Sequence, residues 1–229
     1  MTLRSVPAWS ADGPVRPWTC QRCLEPQVTW GMEPANLLCH CCQEAAAGQA
    51  RSERDAGIPG RYRGLTRESW ELCFRRRWPS RAAQWSGEPP WLALWGPTGT
   101  GKTGLATVLL AERLRAGRLG RWVSAAALAE QLRGEIRAGG NVLATLRVTG
   151  LLVLDEPVIA DATPWYWDRL SLLCRARDEE GLPTIVTMQL DPNALLGEPA
   201  PAPPALVSRW LSGLRVSLTG DDVRLRESA

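Results

Sequence analysis

The sequence predicts an α/β domain built on a parallel sheet with helices on both faces, preceded by a small zinc-binding module. Three observations carry this. Short apolar runs alternate with longer amphipathic stretches from about residue 61 to 226. A glycine-rich loop, residues 96–101, joins one apolar run to the amphipathic stretch after it. Five of the seven cysteines fall within residues 20–42.

The elements follow in chain order. Residues 1–19 hold Pro, Ser and Gly without periodicity and read as a flexible arm. Residues 20–57 read as the cysteine module and a helical linker, with the Ala-, Glu- and Arg-rich stretch 43–56 as its helix. Gly57-Ile58-Pro59-Gly60 breaks that helix and marks the boundary of the α/β domain, 58–229. The apolar runs 91–95, 151–154, 184–188 and 214–218 predict strands, and 121–124 a weaker one. The stretches 102–116, 125–138 and 164–180 predict the intervening helices.

Composition excludes several classes. Over 229 residues, 45% apolar and 22% charged, the chain is neither fibrous nor largely disordered. No run approaches the ~20 apolar residues of a membrane span. The first twenty residues lack a signal-like apolar core, which predicts a cytoplasmic protein. A net charge of +3 does not by itself decide for a nucleic-acid partner. Of 27 basic residues only Lys102 is a lysine.

That lysine stands in Gly96-Pro97-Thr98-Gly99-Thr100-Gly101-Lys102-Thr103, which fits G-x-x-x-x-G-K-[ST] at every fixed position. The glycines let backbone N–H groups turn toward a polyphosphate, and the helix N-terminus adds positive potential. Lys102 would reach the β- and γ-phosphates and the Thr103 hydroxyl would bind Mg²⁺. An ammonium on a flexible stem is the cation wanted there. About fifty residues on, Leu151-Leu152-Val153-Leu154 runs into Asp155-Glu156. At the carboxyl end of a parallel strand, Asp155 would hold Mg²⁺. Glu156 would orient or deprotonate an attacking water. Together the two motifs predict nucleotide hydrolysis.

Cys20-x₂-Cys23 and Cys39-x₂-Cys42, fifteen residues apart, have the spacing of a four-cysteine Zn²⁺ site. So small a module needs the metal for stability. His40 and Cys41 lie inside the second pair and remain alternative ligands. Cys73 and Cys174 fall on helical patterns and are expected in the core.

With these motifs placed, residues 58–226 resemble the ATPase domain of DnaC/DnaI-type helicase loaders and IstB transposition helpers, in the AAA+ class of P-loop NTPases. Residues 58–66 resemble the family's segment beside the adenine. Thr163 to Arg177 resembles its helix after the acidic strand, and Pro183 to Leu190 its sensor 1 strand. Ser208 to Gly213 resembles its arginine-finger turn, and Gly220 to Arg224 its final strand with the sensor 2 arginine. The resemblance implies that Gln189 stands at the γ-phosphate, where the family usually has asparagine. It implies that Arg209 reaches a neighbouring subunit's ATP, hence self-association through the ATPase domain. It also implies that Arg224 contacts the chain's own nucleotide, with Arg226 as a nearby competitor. DnaI-type loaders carry an N-terminal zinc module that docks on the replicative helicase, a role Cys20 to Cys42 fits.

Arg75-Arg76-Arg77 and Arg81, interleaved with Trp70, Phe74, Trp78 and Trp85, could hold phosphates and stack bases. The same pattern also suits a solvated basic face whose aromatics point into the core. Arg133 and Arg137 lie where the family approaches single-stranded DNA. The leading expectation is an ATP-dependent loader of a hexameric replicative helicase onto single-stranded DNA. An IstB-like transposition helper and a nucleotide-gated adaptor with weak hydrolysis are the alternatives.

Overall fold

The computed structural model describes residues 15–19, 21, 26–30, 40–138, 142–159, 162–191, 193–196, 202–220 and 222; for 15–19, 26–30, 40–42 and 135–138 only the backbone is described. The chain divides into two compact units, Met1–Arg51 and Ser52–Ala229. In the first, β1 (Val15–Thr19) and β2 (Pro26–Trp30) form an antiparallel pair, with Val15 opposite Trp30 and Thr19 opposite Pro26. The helix α1 (His40–Asp55) runs through the division, so the linker helix expected at 43–56 is present.

The second unit is a parallel sheet with strand order β4-β5-β6-β3-β7. The strands are β3 (Trp91–Trp95), β4 (Gly120–Ser124), β5 (Leu151–Asp155), β6 (Thr184–Met188) and β7 (Leu214–Ser217), within a residue or so of the expected runs. Alternate side chains go to opposite faces, and each face has its own core. Ala93, Leu152, Leu154 and Val186 pack with α5 (Ala125–Ala138), α6 (Val142–Val148), α7 (Pro164–Glu179) and α8 (Pro204–Ser212). Leu92, Leu94, Val153 and Ile185 pack with α2 (Arg67–Phe74), α3 (Ser80–Gln84) and α4 (Lys102–Arg115). The sheet is therefore covered on both sides, as parallel sheets are. Trp70, Trp91 and Trp210 are among its largest fully buried side chains. Among the described residues no helix is long and apolar enough to cross a membrane.

The end of α1 is tied to the sheet edge. Trp122 N–H in β4 donates to Ala56 O at 2.7 Å. Gly57 follows with φ +84°, and a Cβ there would stand 2.6 Å from the Trp122 carbonyl oxygen, so glycine is required. Buried Glu53 accepts from Gly64 N–H at 2.7 Å, and the turn between them (Gly60–Tyr62) carries Arg61 and Tyr62 toward the carboxyl end of the sheet.

Two expectations, one of a side chain and one of a strand, are corrected. Cys73 is exposed, because α2 buries only Trp70 and leaves the flank that Cys73 occupies, a turn further on, open to solvent. Cys174 is buried as expected. Gly220 and Asp222, expected in a final strand, belong to none; the sheet's last described strand is β7.

Candidate functional site

The strand β3 ends at Trp95 and the helix α4 begins at Lys102, so residues 96–101 turn the chain at the carboxyl edge of the sheet. Gly96, Gly99 and Gly101 have φ of +142°, +74° and +94°. The helix N-cap, Gly101, offers no side chain to the first N–H groups of α4, which leaves these donors for an anion. Lys102 is buried, and its Nζ donates to Gly96 O and Pro97 O, both at 2.7 Å. The cation is thus held at the mouth of the loop.

Across from the loop, Asp155 ends β5. Its Oδ1 accepts from Thr103 Oγ1 at 2.8 Å and from Thr187 Oγ1 at 2.7 Å. Burial pushes its pKa upward, while the two hydroxyl bonds pull the other way. Thr187 also accepts the Glu156 N–H at 3.0 Å. Glu156 has φ +50°, unusual for a residue with a side chain, and this turns its carboxylate off the strand line. Gln189 Nε2 donates to Glu156 Oε1 at 3.3 Å. The Gln189 amide therefore reaches the second of the two acidic residues.

These groups line one cavity of about 580 Å³. Its walls are the loop with Lys102 and Thr103, then Asp155, Glu156 and Gln189, and then Arg61, Tyr62 and Phe74. The Arg61 guanidinium lies 4.7 Å from the Tyr62 ring centroid and attracts the Asp155 carboxylate. The donor set fits Mg²⁺: a hydroxyl and a carboxylate, both hard oxygens, sit within 2.8 Å of each other. Volume, open N–H groups and a lysine suit a nucleoside polyphosphate.

Sequence reasoning reached Thr103, Lys102, Asp155, Glu156 and Gln189, and the structure brings them together. It missed Thr187 and Phe74 as site residues. Their signals are slight: a hydroxyl inside an apolar strand, and an aromatic in a basic stretch.

Other expected residues lie elsewhere. Arg209, on α8, pairs with Asp178 Oδ2 at 3.5 Å, and Asp178 Oδ1 accepts from Trp91 Nε1 at 2.7 Å. Trp91 opens β3, whereas the loop follows its end, roughly 13 Å further along at strand rise. Arg209 is thus directed away from its own chain's cavity. Trp70 and Trp85 are buried, with indole N–H groups on Gly101 O and Pro89 O, so they do not stack bases; the core reading holds for them. Arg75 and Arg77 are exposed, Arg76 is half-buried, and Arg133 is exposed on α5. Arg224, Arg226, Cys20, Cys23 and Cys39 lie outside the described residues. Of Cys42, Cys41 and His40 only the backbone, in α1, is described.

With this geometry, the IstB-like ATP binding protein family matches residues 80–163, the span from α3 through the phosphate loop to the acidic pair. Over that span the chain is similar to the IstB-like ATP-binding domain. This domain resembles several solved structures. The DnaC helicase loader is 19% identical, with a TM-score of 0.55 over 71% of this chain and 100% of that one. DnaA from Aquifex aeolicus bound to AMPPCP is 21% identical, with a TM-score of 0.52 over 61% of this chain and 44% of that one. Domain III of Thermotoga maritima DnaA is 17% identical, with a TM-score of 0.53 over 70% of this chain and 65% of that one. At these identities the likeness is one of fold: an α/β P-loop NTPase fold. The chain spans about half the length of the first solved structures it matches. The sequence matches no curated protein.

Proposed function

We propose that the ATP-binding domain hydrolyses ATP and that the chain loads a hexameric replicative helicase onto single-stranded DNA. One observation carries the hydrolysis: Lys102, Thr103, Asp155, Glu156 and Gln189, from three separate strand ends, meet in a single cavity. Mg²⁺ bound by Thr103 and Asp155 would neutralise charge on the phosphates. Lys102 and the open N–H groups of α4 bind and orient them. Glu156, steered by Thr187 and Gln189, takes the proton of the attacking water.

The loader reading draws on the DnaC likeness, which covers the whole of that chain. It also draws on the cysteine spacing, which would give a Zn²⁺ module for gripping the helicase. Arg209, directed away from its own cavity, suits a role in a neighbour's site and hence self-association. Arg75, Arg77 and Arg133 offer exposed cations for the DNA strand. A cytoplasmic location goes with this function.

A second reading has its own support. The matching family is described as IstB-like, so a helper that supplies target DNA to a transposase fits the same ATPase. The deciding experiment is a pull-down from lysate with E156Q held in ATP and Mg²⁺, with C20S/C23S as the comparison. A replicative helicase captured by the first bait and lost with the second supports the loader. A transposase, or no helicase while the bait binds ATP, overturns it.

A further inference from the structure

Helix α2 is tied to α4 at two points. Arg67 forms a two-pronged pair with Glu112, Nε to Oε1 at 2.6 Å and Nη2 to Oε2 at 2.7 Å. One turn on, Trp70 Nε1 donates to Gly101 O at 3.0 Å. That carbonyl also accepts the Leu105 N–H at 2.8 Å, the first bond of α4. One oxygen thus joins the end of the phosphate loop, the start of its helix and an indole from another element.

The indole is held firmly. It is fully buried, with the Phe74 and Trp78 ring centroids each 5.2 Å away. A Cβ on Gly101 would meet Phe74 and Trp70 at 3.0 Å, and one on Gly104 would meet Trp70 Cδ1 at 3.1 Å. The loop and helix present bare backbone where the indole approaches. The start of α2 is fixed by reciprocal bonds between Thr66 and Ser69, so Trp70 has a rigid base.

We infer that Trp70 is a positioning residue for the phosphate loop. Its N–H fixes the Gly101 peptide, and with it the direction of the N–H groups that face the β- and γ-phosphates. The inference rests on the cavity binding a nucleoside polyphosphate.

The test compares ATP with AMP, which has no β- or γ-phosphate, by calorimetric titration of the full chain. W70F keeps an aromatic ring and removes the N–H. G104A keeps the indole and presses a methyl against its Cδ1, 3.1 Å away, which shifts the ring against the Gly101 carbonyl. Melting curves confirm that each variant is folded. ATP affinity is expected to fall about three- to tenfold in W70F, the scale of one hydrogen bond, with AMP affinity unchanged. G104A should show the same selectivity. Unchanged ATP affinity in both variants, or equal losses for ATP and AMP, overturns the inference. Wild-type protein that binds neither nucleotide overturns the nucleotide reading instead.

Discussion

Thr187 donates to the Asp155 carboxylate at 2.7 Å from within the neighbouring strand, and its oxygen simultaneously accepts the Glu156 N–H. One buried hydroxyl therefore sets both acidic residues. T187V should leave ATP binding near wild type and lower kcat about tenfold, since a misplaced base loses most of its contribution. T187S, which keeps the hydroxyl, should retain most of the rate. Steady-state ATPase assays on the pair check this.

Arg209 makes its ion pair with Asp178, at the other end of the sheet from its own cavity. If it serves a neighbour's ATP, R209A should bind ATP normally and hydrolyse it about a hundredfold more slowly, the scale of a lost charge donor. Mixing R209A with K102A should restore part of the activity, because one partner brings an intact cavity and the other an intact arginine. Failure of the mixture to exceed the sum of its parts removes the role.

Arg177 is fully buried and faces no carboxylate among its hydrogen-bond partners. Its Nη1 donates to Leu146 O at 2.8 Å and Thr149 O at 2.7 Å, its Nη2 to Pro183 O at 2.8 Å, and its Nε to Thr184 Oγ1 at 2.9 Å. Burial lowers its pKa to about 10. R177M fills similar space but strands these acceptors, and should cost about 3–5 kcal/mol by urea unfolding. R177K, with one ammonium for several carbonyls, should fall between.

The two described free cysteines should react oppositely. The Cys174 thiol is fully buried and pushed up to about 12, so it carries almost no thiolate at neutral pH. Cys73 is exposed. Brief alkylation of native protein followed by peptide mass spectrometry should label Cys73, and Cys174 only after denaturation.

The zinc reading makes a separate prediction. Purified protein should hold one equivalent of zinc, and C20S/C23S should lose it while the ATP-binding domain keeps its melting transition. Metal analysis alongside calorimetry checks both halves.

Legibility in the sequence followed burial. The central strands β5, β6 and β3 are covered on both faces and read as near-continuous apolar runs, with Thr184 and Thr187 in β6 and the terminal Asp155 of β5 as the polar positions. The edge strand β4 buries only Val123 of its five residues, so its run reads faintly. Helices α2, α3, α6 and α8, with eight, five, seven and nine residues, are too short for a clear period; α2 shows only as a helical pattern around Cys73, α8 only as a turn, and α3 and α6 not at all. In the site, Lys102, Thr103, Asp155 and Glu156 stand in fixed-spacing motifs. Thr187 and Phe74 do not, because their roles depend on strand order and on α2 folding back over α4. The residues from Trp70 to Arg77 looked uniform, yet the fold separates them into a buried indole, a cavity wall and exposed cations.

Trp70 and Gly104 are thirty-four positions apart in the chain and yet share one volume. A larger residue 104 presses on the residue 70 ring, and a smaller residue 70 leaves room that residue 104 can fill. The two sites should therefore change as a pair wherever this ATP-binding domain diverges.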